Sequence, residues 1–248
     1  MSIKVNVEFL AKDAIKAVKR GDIIIVVDIL RCSSTIITAL ANGAKAVIPV
    51  KTLSEARRIR SKNPGYLLAG ERDGLKPRGF ELGNSPLEYI PERVFGRTIV
   101  LTTTSGTRAL TYSAGARWVL VGAFLNARSV AEKSVALAGE EGVNISLVQS
   151  GTNGMFSLED FIGSGAIIDR MPKEELDLTD SAHAALLAFK QSEKDLYNNL
   201  LKSSHSKRLM KIGFDKDIKF SSQLDVSSIT PIYKDGAIIV DKIEAVKR

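Results

Sequence analysis

Five consecutive β-branched apolar residues, Ile23 to Val27, stand out from the short alternating and helix-periodic stretches around them. An unbroken run of that kind predicts a strand buried on both faces of a parallel sheet. It stops at Asp28, and after Arg31, Cys32 and the hydroxyls of Ser33, Ser34 and Thr35 an apolar helical pattern resumes from Ile36 to Leu40. The hydroxyls suit a helix cap. A carboxylate, a guanidinium and free helix amides therefore fall in one turn at a strand's carboxyl end, where open α/β sheets keep their ligands and a helix start favours an anion.

The same strand and helix rhythm runs through most of the chain. Strands are expected at Ile3–Phe9, Ala46–Val50, Tyr66–Ala69, Thr98–Leu101, Arg117–Gly122 and Val143–Gln149. Helices are expected at Lys12–Arg20, Leu53–Ser61, Asn126–Ala138 and Ser157–Arg170, the last with Glu159 and Asp160 in its first turn. Between 73 and 91 the breakers Gly74, Pro77, Gly79, Gly83, Pro86 and Pro91 rule out a regular element. Phe80, Leu82, Leu87 and Tyr89 give that stretch apolar anchors, so an ordered flap bearing Asn84 and Ser85 is expected. Beyond Pro172 the pattern turns helical, at Thr179–Lys190, Glu193–Lys202 and Ser204–Ile212. Lys234-Asp235-Gly236 then signals a hairpin joining Ile229–Tyr233 to Ala237–Ile243. The fold class read from this order is α/β: a layered, mainly parallel sheet with helices on both faces, plus a C-terminal helical segment and β-hairpin. No linker marks a boundary, so one domain is expected, with residues 1–171 as the sheet core and 172–248 as an elaboration. A shift of 72 residues aligns Ser33, Thr35, Gly43, Ala44 and Val47 with Ser105, Thr107, Gly115, Ala116 and Val119, consistent with two β-turn-α-turn-β units built alike.

Composition narrows the function classes. With 44% hydrophobic and 25% charged residues, and no apolar run near the roughly 20 residues of a membrane helix, a cytoplasmic protein without membrane contact is expected. One cysteine excludes an intrachain disulfide, and two histidines leave little for a zinc site. The net charge of +7 invites nucleic acid, but the basic residues are scattered and aromatics are only 6%, so a small polyanion is the expected partner. The oligomeric state stays open, a homodimer included.

Several phosphate chemistries are excluded by single positions. There is no GxxxxGK[ST] and no GxGxxG after a strand. Cys32 lacks the arginine six residues on that a cysteine phosphatase requires, since that position is Thr38, and Leu30 stands where an aspartyl phosphatase of the common type needs a second acid. What remains is carboxylates, arginines and hydroxyls at strand ends. Asp28 can serve as metal ligand, nucleophile or helix cap, and Arg31 can grip phosphate or pair structurally. Glu71, flanked by Gly70 and Arg72, can be a site acid or a surface partner. Thr102 to Thr107 with Gly106 and Arg108 can cradle an oxyanion or form a plain N-cap. His183 and His205 are read as structural. Hard oxygen donors with so little histidine suit Mg²⁺.

In order and spacing, DILRCSST with TALANGA, then GER, GFELGNSP, TTTSGTRAL, FLNARSVA and SGTNGMFSLEDFIGSGAII, resemble the 2-phosphosulfolactate phosphatase (ComB) family. The likeness spans Ile23 to Ile168 and continues more weakly in SHSKRLMKIGFDKDI and the final hairpin. It implies a Mg²⁺-dependent phosphatase converting (R)-2-phospho-3-sulfolactate to 3-sulfolactate on the route to coenzyme M. That family usually has Ala where this chain has Cys32, which fits a packing role for the thiol. On this resemblance Asp28, Glu71 and Asp160 are expected to supply metal ligands or a base. Arg31, Ser33, Arg72, Arg108 and the turn Thr103, Thr104, Ser105, Gly106 and Thr107 are expected to hold phosphate, while Asn84 and Asn126 orient water or the organic anion. Phosphatase action on another small phosphorylated acid, and non-enzymatic anion binding, are the alternatives.

Overall fold

The computed structural model describes residues 2–172 and 176–240. Among the described residues ten strands form one sheet: β1 Ile3–Glu8, β2 Ile23–Val27, β3 Ala46–Pro49, β4 Leu67–Gly70, β5 Thr98–Thr102, β6 Val119–Gly122, β7 Ile145–Gln149, β8 Leu176–Leu178, β9 Ile232–Lys234 and β10 Ala237–Ile239. Helices flank it: α1 Ala14–Arg20, α2 Cys32–Ala41, α3 Leu53–Lys62, α4 Pro91–Val94, α5 Gly106–Tyr112, α6 Ala127–Glu141, α7 Leu158–Arg170, α8 Asp180–Ser192, α9 Leu196–Leu200, α10 Ser204–Lys211 and α11 Asp215–Ser221. The strand order is β4-β5-β3-β10-β9-β6-β2-β7-β1-β8. All pairings are parallel except those made by β9 and β10.

The α/β expectation therefore holds. β2 is buried along its whole length, as are β5, β6 and β7, which is why β2 runs apolar without alternation and why Ser146 and Gln149 of β7 are buried polar groups. β1, next to the short edge strand β8, alternates buried and more exposed positions. Three elements had no sequence forecast, the three-residue β8, the single-turn α4 and α11. The forecast hairpin is present and lies inside the sheet, pairing Ile238 with Val47 of β3 on one side and Ile232 with Leu120 of β6 on the other. The end of its second strand, residues 241–243, lies outside the described residues.

This hairpin organises the molecule. Three antiparallel pairings in a row make the group β4-β5-β3 run opposite to the group β6-β2-β7-β1-β8. The chain crosses the hairpin twice, from β2 through α2 to β3 and from β5 through α5 to β6, the two units that the 72-residue echo aligns. Five interstrand steps separate β5 from β2, and a twist of roughly 20–25° at each turns the two groups enough for their carboxyl ends to converge. The first residue of α5, Gly106, then sits directly against Cys32 and Asp28.

Candidate active site

The turn after β2 is built around Asp28. Its Oδ1 accepts from Cys32 N at 3.1 Å, while its own N–H donates to Ser33 Oγ at 3.0 Å. The carboxylate, and no hydroxyl, thus receives the first amide of α2. Ser33 turns back to Val26 O, Ser34 to Ile29 O and Thr35 to Asn84 O, so the three hydroxyls bind backbone instead of capping. Arg31 is buried with them. Its Nη1 donates to Asp217 Oδ2 and its Nη2 to Gly74 O, both at 2.7 Å, and the guanidinium lies 4.2 Å from the Phe214 ring centre. Ser85 Oγ donates to the other Asp217 oxygen at 2.6 Å.

Two tight hairpins wall the cleft. Arg72-Asp73-Gly74-Leu75 and Thr152-Asn153-Gly154-Met155 each close with reciprocal backbone bonds, and their central residues all have positive φ, at 56° and 85° in the first and 53° and 76° in the second. Both central dihedrals positive, with Asp-Gly and Asn-Gly in the middle, is the type I′ two-residue turn. Buried carboxylates stitch these turns to their neighbours. Glu71 accepts from Gly74 N at 2.8 Å and Thr104 N at 2.7 Å, and Asp160 accepts from Ile29 N at 2.9 Å and Gly151 N at 3.2 Å. The resulting cleft is lined by Asp28, Leu30, Arg31, Glu71, Asp73, Gly74, Asn84, Thr103, Thr104, Ser105, Gly151, Thr152, Asn153, His205 and Arg208.

Of the residues expected from sequence, Asp28, Arg31, Glu71, Asn84, Thr103, Thr104 and Ser105 come together in this cleft. The others lie outside that lining. Asp160 is among them, with its two oxygens accepting from Ile29 N and Gly151 N. Ser33 faces backbone, and Arg72 turns to Thr102 Oγ1, Glu71 O and Lys51 O. Thr107 is locked to Thr103 in both directions. Arg108 lines a neighbouring hollow with Lys12 and Tyr112. Asn126 is consumed by Ala123 N, Val121 O and Ile229 O at the start of α6. Gly106 packs against Cys32 and Asp28 beside Ser105. A methyl on it would meet Cys32 Cβ and Asp28 Oδ2, so Gly106→Ala is expected to cost about 1–3 kcal/mol by overpacking and to displace the Asp28 carboxylate. A lower melting temperature together with a fall in kcat/KM checks it.

The electrostatics follow from crowding acids in a dry place. Burial, with the charges of Glu159 and Glu71, pushes the Asp28 carboxyl up to about 7 from its ordinary 3.8. Burial and the charges of Asp28 and Glu159 also hold Asp160 well above the usual carboxylate range. Cys32 is pushed up by burial and by Asp28, so it is a thiol packed in the core and no nucleophile. His205 enters the cleft from α10, contrary to its structural reading, with Nδ1 buried and unbonded among the described residues. Burial and the Arg31 and Arg208 guanidinium groups lower its pKa against the pull of Glu159, which keeps the imidazole neutral at pH 7. Among the described residues no three His, Cys, Asp or Glu side chains assemble as a ready metal cage. Three carboxylates line the cleft, Asp28, Glu71 and Asp73, and the first two are buried there.

The profile of the 2-phosphosulpholactate phosphatase family matches residues 9–236. The chain belongs to that family. A relative in Thermotoga maritima named probable 2-phosphosulfolactate phosphatase is 45% identical over 216 residues, covering 87% of this chain and 91% of that protein. Proteins of the same name in Clostridium beijerinckii and Clostridium acetobutylicum are 39% and 40% identical, over 95% and 96% of this chain and 99% and 100% of their own lengths. The 2-phosphosulpholactate phosphatase family is thus one of phosphoric monoester hydrolases, and its profile spans every wall of the cleft, from Asp28 through the two hairpins to Arg208. No helix among the described residues is long and apolar enough to cross a membrane.

Proposed function

We propose that this chain hydrolyses (R)-2-phospho-3-sulfolactate to 3-sulfolactate and phosphate with Mg²⁺, a step toward coenzyme M. Family membership supports the phosphatase chemistry, and the names of the relatives support the substrate. The observation in this chain that carries the reading is the meeting of Asp28, the fixed guanidinium of Arg31 and the Thr103–Ser105 turn in one cleft.

Phosphoryl transfer asks a protein mainly for positioning and charge neutralisation. Arg31 is held from two sides and has N–H groups left over for a phosphoryl oxygen. Within the turn, Thr103, Thr104, Thr107 and Arg108 amides are already bonded, which leaves the Ser105 and Gly106 amides for the anion. The Asn84 Oδ1 atom, buried and unbonded among the described residues, suits an attacking water or the substrate hydroxyl side. His205 takes the proton of that water as its oxygen bonds phosphorus, and returns it to the leaving alkoxide as the ester bond breaks. Asp28 and Glu71 suit a Mg²⁺ ion, which takes one or two carboxylates and completes its shell with water and phosphate. Held by these two carboxylates, it would supply neutralisation of the phosphate charge and polarisation of the P–O bond.

Phosphate release from a panel of phosphorylated three-carbon acids, with and without sulfonate, tests the proposal. Expected is turnover with Mg²⁺ that EDTA abolishes and that is fastest with the sulfonate ester. Binding without turnover under any divalent ion would leave an anion-binding protein instead.

A further inference from the structure

Arg208 lines the cleft from α10, and its partner there is an aspartate that has little need of one. Arg208 Nη2 donates to Asp73 Oδ1 at 3.0 Å, yet the Asp73 side chain is 90% exposed and that of Arg208 39% exposed. Water already solvates the carboxylate, so this pair is weak and cheap to open. The other cations expected at the site are committed. Arg31 is buried between Asp217 and Gly74, Arg72 is turned to Thr102, and Arg108 serves the hollow next door.

We propose that Arg208 is the exchangeable cation of the cleft: it leaves Asp73 to bind a second anionic group of the substrate, its sulfonate or its carboxylate. The cleft thereby selects phosphate esters that carry further negative charge. This rests on the phosphatase reading above and names the group that sets its specificity. The geometry explains the arrangement. Asp73 is the tip of a two-residue turn at the cleft wall, with φ 56°, and the turn is anchored through Gly74 to Glu71 and to Arg31. The tip therefore stays in place when Arg208 departs, and Asp73 acts as an internal anion that the ligand must displace. In the cleft a guanidinium facing a sulfonate or carboxylate makes charge-assisted bonds stronger than the exposed pair it gives up.

The two partners consequently act in opposite directions on binding, which a merely structural ion pair would not do. Arg208→Gln and Asp73→Asn test this in steady-state kinetics on (R)-2-phospho-3-sulfolactate, 2-phospholactate and isopropyl phosphate, with melting curves to show that both variants fold. Asn tolerates the left-handed backbone at position 73. Arg208→Gln is expected to raise KM for the sulfonate ester roughly tenfold or more above any change it makes on isopropyl phosphate, the scale of a hydrogen bond to a charged group. Asp73→Asn is expected to lower KM about two- to fivefold, the scale of an exposed ion pair. An equal KM rise on 2-phospholactate assigns Arg208 to the carboxylate, and no rise assigns it to the sulfonate. KM values that move in the same direction in both variants, or an Arg208→Gln effect equal on all three esters, would overturn the inference while the phosphatase reading stands. A wild-type protein that hydrolyses none of the esters would overturn both.

Discussion

Asp28→Asn is expected to lose phosphatase activity on the order of 1000-fold, the scale of removing one preorganised electrostatic group, and yet to melt higher than the wild type at pH 8 in EDTA. The gain follows from linkage. Asp28 has a folded-state pKa raised from 3.8 to about 7, so between those values the native state holds a proton that the unfolded state has released. Stability from this group is fully present below about pH 4, falls as the pH rises, and is gone once the pH passes about 7. The full shift corresponds to about 4 kcal/mol. Asparagine keeps an acceptor for Cys32 N and cannot ionise, so it escapes the penalty. Melting curves at pH 4 and pH 8 check the sign: the variant's advantage should be absent at the lower pH and largest at the higher. Adding Mg²⁺ should raise the melting temperature of the wild type at pH 8 and leave the variant unmoved. A variant less stable than wild type at pH 8 would contradict the placement of Asp28 among uncompensated acids.

The second large effect belongs to Arg31 and Asp217. Both side chains are only 2% exposed, so removing one partner strands a buried charge at a cost of about 3–5 kcal/mol. For a chain of this size that is on the order of a 10 °C fall in melting temperature. Asp217→Ala also frees Ser85 and loosens the cation held against Phe214, so activity falls with stability. A double change, Arg31→Met with Asp217→Leu, separates the two losses. Replacing a buried pair by apolar groups is often neutral for stability, so the double variant should regain most of the melting temperature and none of the activity. Recovery of activity in that variant would remove Arg31 from phosphate binding.

Much of the fold was legible because burial writes itself into strands. The run Ile23–Val27 marked the central strand, and its abrupt end marked Asp28. The apolar anchors of residues 80–89 marked an ordered flap, and Phe80, Leu82 and Tyr89 are buried there. The place of the terminal hairpin within the sheet was not legible, because its sequence fixes a turn and says nothing of which strands flank it. The site divides in the same way. Asp73, Gly74, Thr152 and Asn153 carried a local signal, the Asp-Gly and Asn-Gly pairs of type I′ turns, which reads equally as a mere chain breaker. Asp160 and Asn126 sit at strand or helix ends and bond to backbone amides and carbonyls there, partners that their own spacing does not reveal. Arg108 points into the adjoining hollow because α5 turns it there, a detail of helix phase that spacing alone leaves undecided. His205, Arg208 and Asp217 come from a segment over 170 residues beyond Asp28, and only the tertiary fold delivers them to it.

The most direct test of the whole account is an electron-density map of crystalline Asp28→Asn soaked with (R)-2-phospho-3-sulfolactate. The phosphate group is predicted between Arg31 and the amides of Ser105 and Gly106, where the two crossing units meet. A well-ordered ester seated elsewhere, in the hollow of Arg108 and Lys12 or on the far side of the sheet, would contradict it.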